Sequence, residues 1–551
     1  MRWKIRQYRT KLSLRIFLLS LALVAGCVKS PRIYDVQRHT VDDAVSLPQN
    51  WTPATRDHMN QLSFGSRLIP YEWFYALEQA DSDKRFFSHE NIQKLGFIPR
   101  NVSEQNADGL PIGFVADEWR GEKWLGLTCT ACHTGQLHFR GQTLLIEGAP
   151  GMFDFQAFEK GLFRALQVLL TDNNKYQRFT RQLQPENPSE LIAALNERVR
   201  FMNARLKANR TTVPYGYGRL DAFGQIFNAV SAAALELPDN KHSADAPVSV
   251  PVLWDASHLD VVQWNASAVN KEPGPLGQNV TTALAVYGTL ELDKKTLLGY
   301  SNSVNIRNLG TIQRHYYDLM SPQWPEDILG PINTDLLQTG AVLYQSHCAS
   351  CHAVIDSRNP KRQLRATVVP QNIIGTDPVM TENFAAAKAR TGKLEGRKIV
   401  AGIRGSKLPT VAPTLDIVTH LASSVMANRP LASINAIMTE RQPQYQYAVD
   451  RKALNYKARP LNGLWASAPF LHNGSVPTIY DLLLPAAERP KAFLVGDVEF
   501  DPHRLGLSQS GGTYRSTYDT TLYGNSNQGH EIATHLSDEG RLALLEYLKT
   551  L

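Results

Sequence analysis

The chain has 551 residues, 43% of them hydrophobic and 20% charged, a composition that argues for folded domains and excludes disorder as the default. Its formal charge of +7 resides in the first 26 residues, which carry six Lys/Arg and no Asp/Glu, so the remainder stands at +1. That balance gives no basic surface for nucleic acid, and no nucleic-acid partner is expected.

The first 26 residues read as an export signal: a basic start (Arg2, Lys4, Arg6, Arg9, Lys11, Arg15), then the apolar run IFLLSLALVAG. The run is too short to span a bilayer at ~20 residues per transmembrane helix. Val24-Ala25-Gly26-Cys27 resembles a bacterial lipobox, which makes Cys27 the acylated first residue of the mature chain. A conventional signal with an incidental cysteine is the alternative. The expectation is an exported, periplasmic protein, tethered to a bacterial membrane by an N-terminal lipid.

Residues 27–110 scatter Pro, Asn and Asp around one short helical stretch, YEWFYALEQA, and read as an N-terminal extension with no visible chemistry. The four cysteines after Cys27 then fall into two identical triplets, Cys129-Thr-Ala-Cys132-His133 and Cys348-Ala-Ser-Cys351-His352. Cys-x-x-Cys-His is the attachment pattern of c-type haem: the thiols add to the vinyl groups and the histidine lies under the iron. Zinc ribbons separate their cysteine pairs by about 15–20 residues, and a thioredoxin-like pair needs no histidine after each second cysteine. The pattern predicts two covalently bound haem c groups with His133 and His352 as proximal ligands. Calcium finds no support in the sequence.

Between the triplets, LHFRGQTLLIEGAPG is apolar and turn-rich, and FDFQAFEKGLFRALQVLL and PSELIAALNERVRFMNARL have helical spacing. MSPQWPEDILGPINTD marks a boundary near residue 330, so residues 111–330 are expected to form a first haem domain and 331–551 a second. A helix with the stripe Leu336, Leu337, Ala341, Val342, Leu343 and Tyr344 runs into the second triplet, and Ser537 caps a last helix with Leu542, Leu545 and Leu548 at helical spacing. Together they resemble the two crossing helices of a cytochrome c fold. The expected class is mostly α: two cytochrome c-like haem domains with long loop-rich extensions and few short strands.

Iron that only passes electrons is normally held on both faces. For the second haem, His530 in LYGNSNQGHE is the preferred distal ligand, because a Gly/Asn-rich turn can be bent to present it. His472 in APFLHNGSVP is the alternative. After His133 the next histidines are His138 and His242, and Met152 sits at a helix start where core packing is the commoner role, so the first haem is expected to be the open one.

With both triplets, YKARPLNGLWASAPFLHNGSVPTIYDLL (456–483) resembles the bacterial di-haem cytochrome c peroxidase superfamily, whose members carry an APYxHxG-type segment near the second haem. The spacing of 219 from His133 to His352, together with YGYGRLDAFGQIFN, VSVPVLWDASHLDVVQWNASA and, further on, GNSNQGHE, is more similar to the branch that includes the rubber oxygenases. The resemblance implies one haem that takes electrons and one that does chemistry. This chain departs from a plain peroxidase: no methionine follows His472, and no histidine lies between His138 and His242. In the rubber oxygenase branch the second haem looks bis-histidine and the first carries oxygen, which adds to the case for His530.

Trp254 and Trp264 are read either as redox relays or as core-filling aromatics. Arg219 is read as a partner for a propionate or bound oxygen species, or as a surface ion pair; Glu147, Asp154 and Asp221 are further polar candidates. The leading expectation is a peroxidase-like oxidoreductase passing electrons from the second haem to a peroxide- or oxygen-binding first haem, with a small redox protein or a quinol-derived donor. The alternatives are a haem dioxygenase cleaving an apolar, isoprenoid-like substrate, and a lipid-anchored electron carrier without enzymatic activity.

Overall fold

The computed structural model describes residues 39–270, 274–296, 298–401, 404–438 and 453–551; the leader and Cys27 lie outside the described residues. Two hairpins frame the first triplet. Strand Phe114–Trp119 turns through Arg120-Gly121 into Glu122–Leu127, and Thr134–Phe139 turns through Arg140-Gly141 into Gln142–Glu147. All four turn residues have positive φ (+53°, +82°, +47° and +77°), as two-residue type I′ turns require to match strand twist.

Each hairpin gains strands from the N-terminal extension. Ile69–Pro70 pairs with Glu122–Leu127, and Ala44–Ser46 lies parallel to Gln142–Glu147 with His39–Val41 outside it. The extension is therefore woven into both sheets. Residues 128–133 cross from one sheet to the other, and a single 3₁₀ turn, Cys129–Ala131, carries the cysteine pair.

Helix Phe155–Val168 follows, capped by the Asp154 carboxylate on Ala157 N–H at 2.9 Å, and packs on Pro188–Ala208, capped by Asn187. Phe97, Phe114, Phe153 and Phe158 fill the core above the strands. The YEWFYALEQA stretch yields only the four-residue helix Trp73–Ala76. Helix exceeds strand, but the strands, expected to be few, number 23 among the described residues, none longer than six residues.

The helix Thr334–His347, capped by Asn333, delivers the second triplet, and the last helix Asp538–Lys549, capped by Ser537, crosses it. The crossing point is Gly340, where a Cβ would stand 2.1 Å from the Ala543 carbonyl oxygen. Tyr344 and Tyr547 pack beside it with ring centres 5.2 Å apart. The expected stripes are only partly buried. Gly340 and Tyr344 are the buried residues of the first helix, whereas Val342 is 55% exposed; on the last helix Leu545 and Leu548 are buried and Leu542 is 42% exposed. Close backbone approach at a glycine, rather than a broad apolar stripe, sets this contact.

One core crosses the boundary expected near residue 330: Leu47 and Trp51 of the extension, Ile146 and Leu309 of the first haem region, and Leu464 and Leu545 of the second share it. Among the described residues no helix is long and apolar enough to cross a membrane. Gly340→Val is expected to destabilise the protein by at least about 1–3 kcal/mol, the usual cost of overpacking, because the added atoms meet backbone. Urea denaturation of the haem-loaded protein measures it.

Candidate haem centres

The first triplet is fixed from both sides. Thr128 donates its N–H to Gly113 O at 2.8 Å and its hydroxyl to Leu62 O at 2.7 Å; Thr130 donates its hydroxyl to Asn60 Oδ1 at 2.8 Å. Gly148 N–H reaches His133 O at 2.7 Å and Gly151 N–H reaches Cys132 O at 2.9 Å, closing the strand that returns beneath the motif. His133 Nδ1 bonds to Pro251 O at 3.1 Å. A carbonyl can only accept, so Nδ1 carries the proton and Nε2 presents its lone pair. Burial pushes His133 down to about 4 and the Cys129 and Cys132 thiols up to about 12, so at neutral pH the imidazole is free of a second proton.

The second triplet repeats this arrangement. His352 Nδ1 bonds to Arg459 O at 2.6 Å, and Tyr344 donates its hydroxyl to His352 O at 2.7 Å. The ring of His530 faces that of His352, centre to centre 6.3 Å at 49°. Two imidazoles binding one metal from opposite sides, each ~2 Å from nitrogen to metal, place their centres ~6 Å apart. His530 Nδ1 finds no hydrogen-bond partner among the described residues, and burial with the neighbouring His352 lowers this ring to about 4. No second imidazole faces His133 among the described residues.

Beside the second triplet, burial lowers Lys457 to about 8 and Arg459 to about 10. Arg459 spends its guanidinium on Pro460 O and Ser467 Oγ and not on a carboxylate. Partly buried cations with no carboxylate partner among the described residues suit the two propionates of a haem. The facing rings, the cysteine pairs and these cations fit covalently bound haem.

The other predicted residues fall into distinct places. Trp254, fully buried, donates its indole N–H to Asn462 O at 3.0 Å, three residues from Arg459, and itself lies three residues from Pro251. The indole thus bridges the two segments whose carbonyls hold the two proximal histidines. Arg362, ion-paired with Asp255 at 2.8 Å, donates to Trp254 O at 2.7 Å and locks this bridge. Trp264 instead donates to Ser249 O at 2.9 Å and packs with Met380 and Tyr456.

Arg219 is neither on the surface nor free: its guanidinium donates to Pro214 O, Tyr215 O, Asn473 O and Asn525 Oδ1 and stacks on Tyr518. It fastens the turn after His472. Asp154 and Asp221 are helix caps. Glu147 is buried, ion-paired with Arg56 and in reach of the Thr134 hydroxyl at 3.2 Å. His472 stacks on Tyr456 at 4.2 Å and bonds its hydroxyl at 3.1 Å, away from His352. Sequence reasoning did not single out Tyr316, whose buried hydroxyl, unpartnered among the described residues, interacts with Cys129, Cys132 and Glu147. Pro251 and Arg459 were also missed, because they act through carbonyl oxygens that any residue supplies.

The profile of the family described as "RoxA-like, cytochrome c-like" matches residues 455–494, the stretch that contains Arg459, Asn462 and His472. The match covers a short part of the chain; a cytochrome c-like domain of this description implies covalently bound haem c and points to a haem oxidoreductase. Over 580 aligned residues, 93% of this chain and 94% of the relative, it is 31% identical to a Sinorhizobium fredii protein described as "Uncharacterized protein y4iJ", and it belongs to that protein's family. A second protein of that organism, "Uncharacterized protein y4iM", is 24% identical over 309 residues, 54% of this chain and 60% of the relative.

Burial holds His472 neutral, at about 3 against 6.5 when unfolded. Between those values the unfolded chain binds more protons, so stability falls as pH drops through this window, by at most about 1.4 kcal/mol per pH unit from this group. His472→Gln is expected to narrow the difference between urea midpoints at pH 7 and pH 4.5, while lowering the midpoint at pH 7.

Proposed function

We propose that the protein is a di-haem c-type oxidoreductase in which the centre at Cys348, Cys351, His352 and His530 supplies electrons and the centre at Cys129, Cys132 and His133 reduces peroxide. The observation that carries the reading is the difference between the centres. His352 is faced by a second imidazole at 6.3 Å and, among the described residues, His133 is not, although both are anchored through Nδ1 to a carbonyl. Iron held on both faces suits electron storage; an open face suits chemistry.

Bound haem supplies the electron transfer, and hydrogen peroxide takes two electrons and two protons to give two waters. The protein's residues do the rest. Pro251 O and Arg459 O fix the tautomer and raise the basicity of each histidine. Trp254 places a conjugated ring between the two anchoring segments. The Tyr316 hydroxyl, kept protonated by burial beside Cys129 and Cys132, is the donor placed to hand a proton into the first centre, with Glu147 adjacent.

A cleft of about 450 Å³ opens beside the strand that follows His133, lined by Asp42, Asp43, Gln136, His138, Asp497 and Tyr514 among others. Phe97, Ile98, Ile112, Leu145 and Met152 line it together with these residues, so the lining does not choose between a small polar oxidant and an apolar chain. The "RoxA-like" description keeps an oxygenase as the second reading. We place the protein outside the cytoplasm, tethered through Cys27, with a small redox protein or quinol-derived donor as reductant.

Two variants and one assay test this. Replacing Cys348 and Cys351 with Ala is expected to remove one of two covalent haems by intact mass, leaving the other. In Trp254→Phe, electron transfer between centres after rapid mixing with peroxide is expected to slow at least about tenfold (~1.4 kcal/mol on the barrier), with both haem spectra retained. Peroxide consumption with a reduced donor supports the leading reading, whereas oxygen uptake with an isoprenoid substrate and no peroxide turnover supports the second.

A further inference from the structure

His530 differs from the two proximal histidines in that no carbonyl of another described residue holds its ring: Nδ1 has no hydrogen-bond partner among the described residues. Its aim is therefore set by the backbone that carries it. That backbone is held in an unfavourable place: His530 has φ +49°, a left-handed conformation that a non-glycine residue adopts only when its surroundings impose it. On one side His530 N–H bonds to Ile374 O at 2.7 Å, and Gly529 lies so close to Gly375 and Thr376 that a Cβ would sit 2.2 Å from Gly375 C. On the other side stands Arg489.

The Arg489 side chain is 2% exposed and every donor of its guanidinium is committed to a backbone carbonyl. Nε reaches Leu484 O at 3.1 Å; Nη1 reaches Asn527 O at 2.6 Å and Gly529 O at 2.8 Å; Nη2 reaches Leu482 O at 3.2 Å and His530 O at 3.3 Å. Among the described residues no carboxylate lies within ion-pair distance; Glu531 and Asp481 act on it only from further away. The planar fork thus reads the turn 527–530 and the end of helix Ile479–Leu482 together, and leaves a buried positive charge next to the histidine.

We propose that Arg489 is the positioning residue of the second centre: it holds the His530 turn so that the imidazole faces His352, and its uncompensated charge raises the reduction potential there. The proposal rests on the reading of His530 as the distal ligand. A buried cation lowers the energy of an added electron, and the effect is larger inside the protein than in water. Lysine keeps the charge but has three donors on a flexible stem and cannot reproduce the fork.

The experiment compares purified haem-loaded wild type with Arg489→Met, Arg489→Lys and His530→Ala by EPR, redox titration and the rate at which added imidazole displaces the native ligand. His530→Ala is expected to turn the second haem high-spin and to be rescued by imidazole. Arg489→Met is expected to lose most of the low-spin signal, regain it with imidazole, and titrate at a lower potential. Arg489→Lys is expected to keep the wild-type potential while imidazole exchange accelerates about tenfold or more. If His530→Ala stays low-spin, the ligand reading fails and the proposal with it. If His530→Ala turns high-spin but Arg489→Met keeps the wild-type signal and potential, the ligand reading stands and the proposal is overturned. Should Arg489→Met fail to fold, Arg489→Lys decides: wild-type imidazole exchange overturns the positioning role.

Discussion

A single hydrogen bond, from an imidazole Nδ1 to a backbone carbonyl, is made twice, and both candidate centres depend on it. The Pro251 and Arg459 carbonyls decide which nitrogen of His133 and His352 keeps its proton, and so which one is free to bind iron. Because a carbonyl is only as fixed as its chain, each anchoring segment has to be immobile. Trp254 meets that demand by joining the two segments through Asn462 O, and the buried pair Arg362–Asp255 braces the joint. A buried ion pair of this kind adds little stability beyond its desolvation cost, but its geometry admits one arrangement of the backbone. Moving either centre would therefore strain the other.

Charge separates the two surroundings. The cations near the second centre, Lys457, Arg459 and Arg489, are all depressed by burial, and none is joined to a carboxylate at contact distance. The first centre has Glu147 and Arg56 as a closed pair, with the Tyr316 hydroxyl beside them. A site surrounded by unpaired cations is suited to holding anionic haem and an additional electron. A site with a neutral proton donor and a balanced ion pair is suited to delivering protons.

Both triplets, with their histidines, stand out in the sequence because c-type haem attachment has a fixed spacing, and the structure holds both histidines in the same way, each through Nδ1 to a carbonyl. The Ser537 cap and its helix were legible because a capping side chain must precede its helix, whereas the caps Asn187 and Asn333 were not singled out although the helices they start were. The placement of His530 was legible through the flexibility of a Gly/Asn turn, although the left-handed φ at His530 itself and the Gly375–Gly529 approach were not. The Arg140-Gly141 turn was legible inside LHFRGQTLLIEGAPG, an apolar and turn-rich stretch, whereas Arg120-Gly121, in DEWRGEKW, was not singled out. What sequence could not show was work done by backbone oxygens: Pro251, Arg459, Asn462 and the five carbonyls on Arg489 leave no side-chain pattern. Nor did the apolar stripes reveal that Gly340 sets the helix crossing, since an absent side chain has no periodicity.

The shared core limits how the two regions can be thought of. Leu47 and Trp51 belong to the same cluster as Leu544 and Leu548, so the two haem regions cannot swing apart without exposing buried apolar surface. Hinge motion between domains is thereby an expensive way to open the first centre. The strand Thr134–Phe139 that leaves His133 lines a cleft, and Asp42 and Asp43 sit exposed on a turn at the edge of the same sheet, so a local change there disturbs less buried surface than motion at the seam. The seam keeps Trp254 and both carbonyl anchors at fixed separation, which the proposed passage of electrons between the centres would require.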